Sequence, residues 1–255
     1  AAKLASRGDA SAADAVAALL TSDQEAVTVA ALQTLTQLGA GRHVPAIAAL
    51  MEREGTVGRS AVETLQDMRA KDAGGALFAL AEREPDRQIK LLPVLGERME
   101  SALLPRFAPF VSSDRAEVRR EAWKALGKAA DERSCGTLLT WLPQIRADEI
   151  NQAEAAVRAA VKNLEPAARA SAFIAAWGKS GPAAKRALAA LMTSYSDPAF
   201  LAPLTGALND PDKSVRETAS RQLGEWPSMA PFAALKTIVT TPGDAALRQV
   251  ALRSA

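Results

Sequence analysis

Apolar and small side chains recur four residues apart in short blocks along this chain, and polar turn residues bracket each block. After Asp114, Val118 is followed by Ala122 and Leu126, with Arg119 behind the first and Gly127 behind the last. A spacing of four puts the three side chains on one helix face. The small central Ala lets a neighbouring helix come close. Asp114 suits the helix N-cap and Gly127 a helix C-terminus, where φ > 0 is often needed. The same skeleton returns as Val215, Ala219 and Leu223 with Arg216 and Gly224, and as Leu247, Ala251 and Ala255 with Arg248. It also reads as Ala184, Leu188 and Met192; as Ala153, Val157 and Val161; as Val57, Ala61 and Leu65; and as Val27, Ala31 and Leu35. A degenerate copy runs Arg87, Leu91, Leu95. The first positions of these triplets, the anchors, fall at 27, 57, 87, 118, 153, 184, 215 and 247, in steps of 30, 30, 31, 35, 31, 31 and 32. A period held along the whole chain predicts tandem structural repeats.

Between these helices lies a second recurring segment. Val44-Pro45 leads to Ile47 and Leu50, and similar patterns surround Leu77 and Leu80, Pro105 and Phe107, Pro203 and Leu208, and Pro231 and Leu235. Proline in a first helical turn costs little, because that N–H has no partner anyway. Turn signals fall between the segments at Gly39–Gly41, Glu84–Asp86, Ser112–Asp114, Ser196–Pro198, Asn209–Asp212 and Thr241–Asp244. Each unit therefore reads as an outer helix, a turn, an inner helix carrying the triplet, and another turn. One helical pair cannot bury its apolar face, but stacked pairs can. At helix diameters of roughly 10–12 Å, the stack predicts a curved rod about 80–100 Å long.

The turn-Asp, Val-Arg, Ala and Leu-Gly skeleton resembles the HEAT-repeat family in its short bacterial form, shared with bilin lyases, over residues from roughly 10 to 255. The resemblance implies an all-α fold, a right-handed α-α superhelix of about eight helical pairs, and a single array over residues 1–255. The third unit departs by lacking the Val-Arg pair, and units one, two and five lack the basic residue. The 35-residue step predicts an irregularity near 142–152, with a longer turn or helix and a local break in the superhelix. A chain that begins Ala1-Ala2 and stops inside a helical pattern reads as a piece of a longer protein.

Composition sharpens this picture. The chain is 48% hydrophobic but only 4% aromatic, so the core is mostly Ala, Leu and Val, and Ala and Leu favour helix. The net charge of +2 gives no footprint for nucleic acid or membrane. Residues 113–255 carry 19 basic and 15 acidic side chains, a slight C-terminal surplus. No apolar run approaches the roughly 18 residues of a membrane span, and with Cys135 the lone cysteine no internal disulfide can form.

Candidates for chemistry are few. His43 is the one histidine and begins an outer helix; its distance in sequence from Cys135 argues against a nucleophile–base pair. Cys135 starts an outer helix and reads as a packing residue. A structural zinc wants four Cys or His ligands, and this chain has two. The carboxylate pairs Glu52/Glu54 and Asp131/Glu132 read as solvated edges. Trp123 occupies the position of Leu32, Val62 and Leu92 and is expected in the core, whereas Trp141 and Trp177 end outer helices and Trp226 follows the Leu223-Gly224 turn. The resemblance also brings branches with activities. The di-iron hydroxylase branch is built on His-Glu pairs, which are lacking here. The DNA glycosylase branch uses Trp, Asp and Arg on a basic face, which the near-neutral charge disfavours. The bilin lyase branch has no motif to test in this chain.

One positional row remains. The residue after each anchor reads Thr28, Gly58, Gln88, Arg119, Glu154, Lys185, Arg216 and Arg248, and the next position adds Arg59, Arg120 and Arg186. The resemblance implies that such an Arg pairs with turn acids, here Asp114, Glu149, Asp212 and Asp244, as a ladder between repeats. The other reading is a cationic strip of Arg119, Arg120, Lys185, Arg186, Arg216 and Arg248 that binds a protein or peptide of acidic character. The expectation is a monomeric, non-enzymatic protein-interaction scaffold, the repeat domain of a larger bacterial protein, with no cofactor, no metal and no membrane partner. The alternatives are a nucleic-acid-binding or DNA-glycosylase-like protein and an architectural spacer for a catalytic domain elsewhere.

Overall fold

The computed structural model describes residues 12–240, together with Gln249 and Leu252 in helical conformation. The described residues are helical and contain no strand, and the fold is an all-α helical-repeat solenoid. The triplet anchored at Leu247, with Arg248 and Asp244, lies outside the described residues.

Contacts divide the chain into two units, Ala1–Ala129 and Ala130–Ala255. In the first, outer helices α1 (Ala13–Ala17), α3 (Val44–Leu50), α5 (Ala73–Arg83) and α7 (Ala108–Val111) alternate with inner helices α2 (Glu25–Leu38), α4 (Thr56–Asp67), α6 (Gln88–Glu97) and α8 (Ala116–Ala129). In the second, outer helices α9 (Cys135–Trp141), α11 (Pro166–Trp177), α13 (Leu201–Gly206) and α15 (Phe232–Thr240) alternate with inner helices α10 (Ile150–Val161), α12 (Pro182–Tyr195) and α14 (Lys213–Gly224). Consecutive inner helices pack on one another: α2 on α4, α4 on α6 and α6 on α8, then α10 on α12 and α12 on α14.

The triplets make that seam. Every described triplet side chain is buried except Val27 and Arg87. The triplet seam is thus aliphatic, and the buried phenylalanines gather on and beside the outer helices, while Trp123 is buried on α8. Phe78 of α5 meets Phe107 edge-on at 5.0 Å and lies near Phe110 of α7. In the second unit, Phe173 of α11 stacks on Phe200 at 5.8 Å.

Several outer helices are short because they begin as 3-10 turns, among them Gly41–His43, Glu132–Ser134 and Pro198–Phe200. Pro45 sits in the first turn of α3, as proline tolerance requires, and Asp212 caps α14 by accepting from the Ser214 and Val215 N–H groups. The glycine of the Leu-Gly pair plays a different part from the one its position suggests. Gly127 lies inside α8 and Gly96 inside α6. A Cβ on Gly96 would stand 2.7 Å from Ala125 Cα, so this glycine is what lets α6 and α8 touch backbone to backbone. α12 ends in Ser196, which takes the left-handed conformation at φ 52°. Between α9 and α10 the long step becomes two 3-10 turns, Leu142–Gln144 and Ala147–Glu149, with Leu142 and Ile145 buried.

Candidate binding surface

The row behind the anchors has a shared task in several repeats. It donates to carbonyls of the turn that enters its own helix, which have no partner within the helix. Arg119 Nη1 donates to the Ser113 and Asp114 carbonyls at 2.8 and 3.0 Å. Arg216 Nη1 donates to those of Asp210 and Pro211 at 2.9 and 3.0 Å. Thr28, fully buried, reaches the Ser22 carbonyl at 3.2 Å through its hydroxyl. At Gly58 the turn closes without a side chain: a Cβ there would lie 2.0 Å from the Arg53 carbonyl oxygen. Arg, Thr and Gly are thus three answers to one local problem.

The six predicted partner-binding residues separate accordingly. Arg119 is 3% exposed, and Arg216 is half-buried over its turn. Lys185 reaches into the following repeat, where Nζ bonds Asp210 Oδ2 at 2.6 Å, and it lies over the Trp177 ring. Arg120 and Arg186 are half-buried, and Arg248 lies outside the described residues.

Other bonds join neighbouring repeats about one period apart. In the first unit, Arg98 Nη1 donates to the Leu65, Gln66 and Met68 carbonyls at the C-terminal end of α4, while its Nε holds Glu100 at 2.6 Å. Gly74 leaves room for that Glu100 carboxylate, which a Cβ would meet at 2.2 Å. Arg106 reaches the Gly75 carbonyl, Arg115 that of Pro85, and the Gly41 N–H donates to Asp72.

His43 is buried at its helix start. Its Nδ1 accepts from the Ala40 N–H at 3.0 Å, so Nε2 donates to Asp14 at 2.7 Å. Both ring nitrogens are occupied and neither can serve as a base. Arg42 also grips Asp14, at 2.9 and 3.1 Å. The bond from Arg42, then that from His43, pulls the Asp14 carboxyl down to about 2. Burial raises the Cys135 thiol, which keeps it protonated and unreactive. Trp123 is 1% exposed, in the core. Glu52 pairs with Lys90, and Asp131 caps its own 3-10 turn. Among the described residues no three His, Cys, Asp or Glu side chains gather as a metal site, and no helix is long and apolar enough to cross a membrane.

Sequence reasoning missed one place. An open groove runs along α10, lined by Ala155, Ala159, Arg158, Lys162, Glu154 and Tyr195. Arg158 is tied to the Ser194 hydroxyl at 3.1 Å. The Tyr195 ring is covered by the Arg169 guanidinium, 4.0 Å from its centroid, and leans on Phe173. Glu154 is half-buried; loss of water raises its carboxyl, and Arg158 and Arg186 oppose that rise. The signal was available in the four-residue spacing of Glu154, Arg158 and Lys162, but only Glu154 lies on the row behind the anchors.

No protein-family profile matches the chain, and no curated protein is similar to it in sequence. Solved structures with a comparable arrangement include human deoxyhypusine hydroxylase in complex with glycerol, at 20% identity over 99% of this chain and 97% of that one, TM-score 0.38. The complex of CpcE and CpcF of phycocyanin lyase from Nostoc matches at 16% identity over 95% and 86%, TM-score 0.30. A designed armadillo repeat protein matches at 14% identity over 94% and 96%, TM-score 0.23. These likenesses concern the fold alone. They correct the expectation of a non-enzymatic protein, because a hydroxylase and a lyase stand among the similar chains and the fold therefore does not exclude catalysis.

Proposed function

We propose that this chain is a HEAT-type repeat array, a domain of a larger bacterial protein, whose inner helices hold a protein partner. The observation that supports this reading is the division of labour among the cations. Arg119, Arg216 and Lys185 spend their donors on turns, which fixes the inner helices before any partner arrives and lowers the ordering cost of binding. Lys162, just past α10, and Arg186 of α12 make no ion pair among the described residues. Arg186 is the member of the predicted row that we assign to the partner face.

A photo-crosslinking amino acid in the source cell tests this. Placed at Arg59 on α4 and at Ala155 on α10, both exposed on inner helices, it should yield a discrete protein adduct. At Ala79 on α5 and Ala168 on α11, exposed on outer helices, it should yield none. Adducts to nucleic acid, or no adduct from either inner position, would overturn the reading.

A further inference from the structure

The groove on α10 has a shape that follows from helix geometry. Asn151, Ala155 and Ala159 are spaced by four and form one ridge of the helix surface; Glu154, Arg158 and Lys162 form the adjacent ridge. A ridge of small side chains beside one of long side chains makes a furrow. Eleven residues separate Asn151 from Lys162, so the furrow is about 17 Å long at 1.5 Å per residue, the span of roughly five residues of extended chain. Tyr195 stands at the lining, held between Arg169 and Phe173.

The charges around the furrow favour a negative occupant. Arg158 and Lys162 are exposed and Arg186 is half-buried, against the single carboxylate of Glu154. Arg158 is tied to the Ser194 hydroxyl at 3.1 Å, which leaves Lys162 the most available. A nucleic acid strand fits this lining poorly. Glu154 would face its phosphates, and the Tyr195 face that a base would stack on is already covered by Arg169. A peptide needs no stacking face, and its backbone can lie over the two alanines.

We propose that the α10 furrow binds an acidic peptide segment of about five residues from a protein partner, with Arg158, Lys162 and Arg186 receiving its carboxylates. This rests on the reading that the inner helices face a protein.

The test uses the whole chain and fluorescence anisotropy with fluorescein-labelled pentaglutamate, beside pentalysine and a thymidine oligonucleotide. Pentaglutamate should bind, pentalysine should not, and binding should weaken as salt rises. Arg158→Glu with Lys162→Glu should weaken it at least tenfold. Ala155→Trp, which fills the furrow without changing charge, should do the same. Lys179→Glu, an exposed cation just past α11, should leave it unchanged, and circular dichroism should show every variant folded. Pentaglutamate binding that ignores the α10 variants would remove the furrow but not the parent reading, which stands or falls with the inner-helix crosslinks. No pentaglutamate binding at millimolar concentration, or an oligonucleotide that binds more tightly and responds to the same variants, would overturn the proposal.

Discussion

At the scale of single residues, the inner-helix cations are turn parts before they are surface charges. Arg119→Ala takes from the Ser113 and Asp114 carbonyls a charged donor that is itself 3% exposed. The expected loss is about 1.5–3 kcal/mol in urea denaturation, with a smaller loss for Arg216→Ala, which is more open to water. Arg119→Lys should restore only part, since one ammonium cannot copy the guanidinium fork. Met99 offers the opposite sign. It holds φ 52° without being glycine and is 63% exposed, so Met99→Gly relieves backbone strain at no packing cost and should raise stability by up to about 1 kcal/mol. Asp14 links stability to pH. Its folded carboxyl lies at about 2, below an unfolded value of about 3.9. The stability it contributes is therefore present in full above the unfolded value and lost as pH falls from there through about 2. Asp14→Asn should flatten that part of the stability–pH curve and leave the neutral region parallel.

Element by element, the glycines and arginines at helix joints set how closely the inner helices approach. Gly96 of α6 has Ala125 of α8 where a side chain would stand, and Gly58 has the Arg53 carbonyl of its own entering turn. Gly96→Val should cost about 1–3 kcal/mol by prising α6 from α8, read as a lower urea midpoint, whereas the same change at Gly206, with open space around its Cβ position, should cost little beyond helix propensity. Arg98, tucked over the end of α4, does for carbonyls what an N-cap does for N–H groups. It is supplied by the next repeat, so the end of each such helix depends on its neighbour.

Over the whole molecule, the packing is mostly between sequence neighbours, as a repeat array requires. Stability should then be local. Trp123 reports on residues 1–129 and Trp226 on residues 130–255, and single-tryptophan versions can follow each through urea. Gly96→Val should move the Trp123 transition to lower urea more than the Trp226 transition. Equal shifts would show instead that the chain unfolds as one cooperative block.

The period of the triplets determined the helical-repeat class and the seam between the inner helices, because a helix face is written directly in four-residue spacing and burial follows from it. The position of Pro45 and the capping by Asp212 were legible for the same reason: they depend only on their own first turn. What the row behind the anchors does was decided by tertiary structure. Whether Arg119 points to solvent or folds back on Ser113 depends on carbonyls brought near by the turn, and one-dimensional spacing does not encode them. Gly127 looked like a helix end but lies inside α8, and the part Gly96 plays depends on Ala125 arriving from the next repeat, which sequence spacing cannot show. The furrow on α10 likewise exists only because a ridge of alanines lies beside a charged ridge and Tyr195 closes in from α12, a conjunction of two helices that neither segment carries alone.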